Sequence, residues 1–380
     1  MYLDNAVHGA GAKSVYNAME DYTREYARDR MGLKSDLEAW KERIAQTREQ
    51  FAKLIGCEKT EVFFVPTTTT GLNVVANMIA TERGSNVVTN DMEYLSNVIV
   101  WLKRQAKGVQ VRFVRNLNGK IILDDVKKKL DSRTAALTIG QVGWWNGFRH
   151  DIEMLSEVAH EKGAYLVVDG IQCVGAMKVD VKREGIDFLV CGTYKWLLGP
   201  GGAAFLYVSK DLAEKLEPLF MFEHNLEAKS VETNLFDKFD LYNLKYGSKL
   251  FRHDMGAFNR PAYAGSWASM NMILKEGIHR IEEKIKRVYE YSISQLHETG
   301  FSLQTPEESD KRFGIVNFKI SNCREVVAVL RNEKGVIVSP RLGGIRVSPH
   351  FFNTEEDIDT LINGLKELGL NNRAKTGTAK

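Results

Sequence analysis

The segment Ala164–Val208, AYLVVDGIQCVGAMKVDVKREGIDFLVCGTYKWLLGPGGAAFLYV, decides the fold, because three short apolar runs in it read as buried strands separated by turns. Tyr165-Leu166-Val167-Val168 is continuously apolar and closes on Asp169-Gly170, the pattern of a central parallel strand with its polar residue at the carboxyl edge. Phe188 to Cys191 runs into Gly192-Thr193-Tyr194-Lys195-Trp196, and Gly199-Pro200-Gly201-Gly202 then turns the chain into a third run, Ala203 to Val208. Ligands of open α/β sheets bind outside the carboxyl ends of the strands. Asp169 and Lys195 are therefore expected to face one crevice.

An acid and a lysine so placed suit pyridoxal 5'-phosphate, whose aldehyde condenses with a lysine amine and whose ring nitrogen needs a carboxylate to hold its proton. Lys195, between Tyr194 and Trp196, should lose solvation, which lowers its pKa and frees the amine. Gln172, three residues past Asp169, is expected to reach the ring hydroxyl. Alone, a strand-terminal Asp reads as a turn former or helix cap, and a lone lysine as a solvated charge. Their pairing on adjacent elements, with a Gly-rich turn behind the lysine, favours the site.

AYLVVDGIQ followed by DFLVCGTYKWLLGPGG resembles the class V aminotransferase family of fold-type I pyridoxal-phosphate enzymes, which includes cysteine desulfurases, isopenicillin N epimerase-like proteins and kynureninases. The resemblance runs from Tyr2-Leu3-Asp4-Asn5 to Arg346-Val347-Ser348-Pro349. It implies an α/β fold: a large, doubly wound, mostly parallel sheet domain that binds the cofactor, here 13–258, and a smaller α/β C-terminal domain, here 259–370. An arm of residues 1–12 would lie across the active-site mouth, and the polar tail 371–380 reads as disordered.

Bulk properties narrow the alternatives. With 380 residues and 44% apolar content the chain can bury a sizeable core. Its 52 basic and 49 acidic residues leave a net charge of +3, with no sign of the basic face that nucleic acid or an anionic membrane selects. Cys57, Cys173, Cys191 and Cys323 lie far apart without metal-ligand spacing, so no metal and a reducing, cytoplasmic setting are expected. The first residues lack an apolar leader, and no run reaches the length of a membrane span.

Upstream, Leu37, Trp40, Ile44, Thr47, Phe51 and Leu54 recur at three- and four-residue steps before Gly56, an amphipathic helix with its stop signal. The strand Glu61–Val65 runs into Pro66-Thr67-Thr68-Thr69-Thr70-Gly71 and a helical stretch, a junction whose free N–H groups suit a phosphate. Threonine helix capping is the plainer reading. The resemblance implies that Thr68 and Thr69 grip the cofactor phosphate, although Thr67 replaces the glycine usual in the family.

After the strand Val87–Thr89, the family places a ring over the pyridine, and Tyr94 is at that position. The strand Ala135–Ile139 leads to a concentration of aromatics, in which Trp144 stands where cysteine desulfurases tend to carry an asparagine; pocket lining and core packing both remain open for it. The resemblance also implies that Tyr194 binds phosphate through its hydroxyl and that His8, in the arm, touches substrate.

Residues 218–260 lack a clear period and read as loops over the active site and subunit boundary. Helices at 266–298 and 324–332, strands at 314–320 and 336–339, and a helix at 355–368 then suggest the small α/β domain. An amino-acid substrate brings a carboxylate, which a guanidinium matches with two parallel bonds, and the resemblance assigns that role to Arg346. It further implies a homodimer with shared sites, in which Arg260 completes the partner's phosphate site; an interface arginine paired with Asp254 is the alternative.

The resemblance thus implies a pyridoxal-phosphate enzyme acting on a small-molecule amino acid, with Lys195 as the Schiff-base residue. Isopenicillin N epimerase-like transaminase, epimerase or lyase chemistry, a kynureninase-like hydrolase, a cysteine or selenocysteine lyase, and a non-catalytic binding protein of the same fold all remain open. Thr193-Tyr194-Lys195 is closer to kynureninases than to desulfurases, which usually carry histidine before the lysine. From Arg324 to Arg346 there is no cysteine, so a desulfurase using a mobile loop thiol is not expected.

Overall fold

The computed structural model describes residues 1–220, 253–256 and 258–370. The loops expected within 218–260 fall largely outside the described residues, as does the tail 371–380. Seven strands form the large sheet: β1 (Val62–Val65), β2 (Asn86–Asn90), β3 (Gln110–Val114), β4 (Thr134–Gly140), β5 (Tyr165–Asp169), β6 (Phe188–Gly192) and β7 (Ala204–Val208). Their order is β1-β7-β6-β5-β4-β2-β3, and β3, β2, β4, β5 and β6 pair parallel. β5, β6 and β7 are buried almost throughout and carry the apolar runs read from the sequence.

Only β7 runs antiparallel to its neighbours. A parallel return needs a crossover of a dozen or more residues, whereas the chain between Gly192 and Ala204 folds tightly, with the Thr193 N–H on Ala203 O at 3.1 Å. That short reversal holds Lys195 at the edge of the sheet instead of sending it around a helix.

The second sheet is antiparallel, in the order β8-β10-β9, from β8 (Val316–Lys319), β9 (Ser339–Arg341) and β10 (Gly344–Val347). The strand expected at 336–339 starts later, because Ile337 is taken by the N-terminal arm: Leu3 N–H donates to Ile337 O at 2.9 Å. Asp4 makes a second bridge with Ser348, just past β10. The arm is therefore stitched to the small sheet before it reaches the active site.

The helix Lys13–Arg30 has no counterpart in the sequence reading; Val15, Ala18 and Tyr22 alone are buried, too few to show a stripe. It packs on the helix Arg260–Glu276, which begins earlier than the expected 266 because Asn259 caps it and Pro261 opens its first turn. The Tyr263 hydroxyl on this helix reaches Ala204 O at 2.7 Å and Val65 O at 3.0 Å. Through these contacts Arg260–Glu276 packs against the large sheet. The next helix, Ile278–Glu298, lies instead against β8 and the last helix, Glu355–Glu367.

Candidate active site

Asp169 closes β5 and lies beside the end of β6, whose continuation carries Lys195. One carboxylate oxygen accepts the Ile171 N–H at 3.0 Å; the other makes no hydrogen bond among the described residues. Burial raises this carboxyl to about 6, against the pull of the Ile171 N–H and the Lys195 charge. An unshared oxygen on a buried acid is what a protonated ring nitrogen needs opposite it.

Lys195 is 8% exposed, and its Nζ has no hydrogen-bond or ion-pair partner among the described residues. Burial lowers its pKa to about 8; Asp169 opposes the shift, while Arg346 and Arg341 add to it. Its Nζ lies 5.6 Å from the Tyr94 ring centroid and 5.8 Å from that of Tyr194. The turn that carries it is clamped on three sides. Trp196 Nε1 donates to Gln172 Oε1 at 2.8 Å, His350 Nε2 donates to Trp196 O at 2.9 Å, and Gly9 N donates to Tyr194 O at 2.8 Å. A Cβ on Gly9 would stand 2.2 Å from Lys195 O, so the arm approaches this closely only because residue 9 has no side chain.

A cavity of about 470 Å³ opens over Lys195, lined by Ala6, Val7, His8, Tyr94, Trp144, Gln172, Tyr194, Arg341 and Arg346. Asp169, Glu93 and His150 line a narrow extension beneath it. His8 is brought to the cavity by the arm, its ring 4.8 Å from that of Tyr194. Gln172 donates to Ala6 O at 3.1 Å while holding Trp196, so it is fixed at the wall with one amide N–H to spare.

Thr68 and Tyr194 border a common spot: a Cβ at Gly192 would meet Thr68 Oγ1 at 3.0 Å and Tyr194 Cε1 at 3.2 Å. Thr68 Oγ1 accepts the Gly192 N–H at 2.9 Å and keeps its own proton to give. It is the first residue of the helix Thr68–Met78, capped by Thr67 through Thr70 N–H at 3.0 Å, so the cap falls to Thr67 and the Thr68 hydroxyl is not used for it. Thr69 points aside, donating to Ser96 Oγ at 2.9 Å.

Tyr94 caps the helix Leu95–Leu102 and is 46% exposed, its ring set edge-on to Trp144 at 5.5 Å. Trp144 is tied by Nε1 to Met92 O at 2.9 Å, and its carbonyl accepts Arg346 Nη1 at 2.6 Å. Its place at the wall is thus a pocket-lining one, while Trp145 packs against the core. Arg346 is 1% exposed and also donates through Nη2 to Asp4 Oδ1 at 3.2 Å. Burial lowers its pKa to about 10. Its Nε is buried with no partner, a donor aimed at a ligand or at nothing.

Of the expected residues Arg260, like Thr69, stays apart. It is exposed at the start of Arg260–Glu276, 5.9 Å from the Phe258 ring centroid, and does not line the cavity. Its alternative partner is engaged elsewhere: Asp254 pairs with Arg48 and accepts the Phe64 N–H at 2.9 Å.

Two residues of the site went unread in the sequence. Glu93, buried, accepts from Gly140 N at 2.8 Å, Asn90 Nδ2 at 2.9 Å and Asn97 Nδ2 at 3.1 Å, and burial raises its carboxyl to about 7. It ties the ends of β2 and β4 beneath Tyr94; the cluster Asn90, Glu93, Asn97 at three- and four-residue steps was the available signal. Arg341 reaches the cavity from β9, visible only once its strand is paired with β10.

The donor set fits pyridoxal phosphate: a free buried amine, an acid with an unshared oxygen on the next strand, and a hydroxyl-lined helix start. The class-V aminotransferase family model matches residues 1–361. A probable cysteine desulfurase of Methanothermobacter thermautotrophicus is 28% identical over 97% of this chain and 94% of its own. The uncharacterized aminotransferase YcbU of Bacillus subtilis is 30% identical over 94% and 91%. Among solved structures, the apo cysteine desulfurase from Thermococcus onnurineus superposes with a TM-score of 0.84 at 25% identity, over 97% of this chain and 94% of that one.

Proposed function

Because the chain belongs to the class V aminotransferase family and is an enzyme with pyridoxal phosphate as its cofactor, we propose that it is an amino-acid lyase that passes no leaving group to a cysteine of its own. When bound, the cofactor supplies a carbonyl for the substrate amine and an electron sink for the bond broken at Cα.

The observation that carries the reading is the unpartnered Lys195 Nζ in the cavity that Arg346 also lines. A carboxylate held by the spare Arg346 Nε fixes the substrate at Cα, and Lys195, the covalent anchor at rest, then takes and returns the proton there. A pKa near 8 leaves a useful fraction of that amine neutral at pH 7 to 8. Asp169 keeps the proton on the ring nitrogen, and Thr68 with Tyr194 holds the phosphate. The arm and Trp144 form part of the cavity wall.

The relatives named cysteine desulfurases favour lyase chemistry, while YcbU carries the name aminotransferase. Against an enzyme thiol as sulfur acceptor stands the β9–β10 connection, where Leu342 and Gly343, at φ 46° and 75°, make a two-residue turn. No cysteine lies in it, and none of the four lines the cavity. Cys173 is buried with Sγ on Gln141 Oε1 at 3.0 Å. A homodimer in a reducing cytoplasm, with Arg260 directed to the partner's phosphate site, completes the proposal; all four cysteines are free.

The test is to mix the yellow holoenzyme with a panel of amino acids, recording which perturb the cofactor band and which products form. Keto acid with released leaving group supports a lyase. Stoichiometric conversion of the cofactor to its amine form, or a racemised amino acid alone, refutes it.

A further inference from the structure

We propose that Arg341 recognises a second carboxylate on the substrate, so that the enzyme selects amino acids with an acidic side chain. The inference rests on the amino-acid reading above and names the substrate class of that same site.

Directly paired residues of an antiparallel ladder share a face, and residues two apart in a strand share it too. Arg346 is paired with Ser339, and Arg341 lies two residues past Ser339, so the hairpin puts both guanidinia on one side. Both line the cavity over Lys195. The turn Leu342-Gly343 is only two residues long, and the arginines stand as a diagonal pair with their backbone positions about 7–8 Å apart at that spacing.

The two differ in what they already hold. Arg346 is paired with Asp4 and with Trp144 O. Arg341, half-buried, makes one hydrogen bond, from Nη1 to the carbonyl of its neighbour Pro340 at 2.7 Å, and no ion pair among the described residues. Among the described residues, no carboxylate lines the cavity itself. With Asp4 balancing Arg346 and the α-carboxylate taken at its spare Nε, Arg341 remains without a balancing acid among the described residues, facing the substrate's other end. The planar fork suits a carboxylate there.

The competing use of Arg341 is a second grip on the α-carboxylate, and the two uses separate cleanly. Holoenzyme is titrated with L-glutamate and L-aspartate and with the uncharged L-glutamine and L-asparagine, following the cofactor absorption band to obtain Kd. Acidic ligands should bind about tenfold tighter than their amides, the range of one charge-assisted contact that is partly solvent-screened. Arg341→Gln should abolish that preference while leaving the amides within twofold, and Arg341→Lys should retain part of it; an unchanged band and melting temperature show each variant folded. Equal weakening of acids and amides in Arg341→Gln, or no acidic preference in the wild type, overturns the inference and leaves the functional reading standing. A band that no amino acid perturbs overturns both.

Discussion

Arg346→Lys tests the carboxylate site most directly, because the structure says what the guanidinium must do besides bind substrate. Nη1 serves Trp144 O at 2.6 Å, and Nη2 serves Asp4 at 3.2 Å and Ser339 Oγ at 3.4 Å, leaving Nε and the second Nη1 N–H free. A lysine ammonium has three N–H donors; two are needed to keep the carbonyl and Asp4 satisfied, and one remains where arginine offers two. The loss is one charge-assisted hydrogen bond, about 1.5–3 kcal/mol, or about 10- to 150-fold in substrate affinity. The expected result is that rise in Kd for amino acids, read by absorbance titration, with the resting cofactor band unchanged. Arg346→Met would instead strand the buried Asp4 and destabilise the fold by about 3–5 kcal/mol, a loss that adding Asp4→Asn should largely restore. An Arg346→Lys enzyme that binds amino acids within twofold of wild type refutes the assignment.

Borohydride reduction followed by peptide mapping should place the cofactor on Lys195; label on another lysine removes it as the anchor. Asp169→Ala should retain cofactor yet lose turnover by at least about 100-fold, and comparable turnover would refute its role at the ring nitrogen. His350, neutral because it donates to Trp196 O and accepts the Phe351 N–H, has its pKa lowered by burial to about 4. Between pH 6.5 and 4 the unfolded chain takes up a proton that the native state refuses, so stability falls with pH, by about 2 kcal/mol at pH 5. Glu93 and Asp169, with raised values, act in the opposite sense, so the measurement is a comparison. The change in unfolding free energy from pH 7 to 5 should be about 2 kcal/mol less unfavourable in His350→Gln than in wild type; equality refutes it. Mixing Arg260→Ala with Lys195→Ala subunits should restore activity if sites are shared, and no recovery in dimers shown to exchange subunits rules sharing out.

The central strands were legible because a strand covered on both faces has to be apolar along its length, so the first polar residue marks its edge; Asp169 and the segment before Lys195 are of this kind. Arg346 and Thr68 were reached by resemblance, since a strand arginine or a capping threonine carries no mark of its function. What stayed hidden depends on pairings between distant segments. Arg341 acquires a role only through the register of β9 on β10, and the arm only through Ile337 and Ser348. The helix Lys13–Arg30 rests on another helix by one narrow strip, which leaves its charged remainder without a readable period.

The stitching of the arm also sets the order in which the protein can become active. Asp4 must meet Arg346, and Gly9 must meet the turn of Lys195, before the cavity has its walls. The first partner lies 342 residues away in the chain. During synthesis at about 5–20 residues per second, the arm therefore waits tens of seconds after it emerges, while the large sheet has all of its strands in hand much sooner. Closing so long a loop costs little more entropy than closing one half its length, about 0.6 kcal/mol per doubling, so the delay is kinetic. The nascent sheet, complete through β7, lacks Arg341 and Arg346, the residues proposed to take substrate carboxylates, and on that reading competence to bind an amino acid arrives only with the last hairpin.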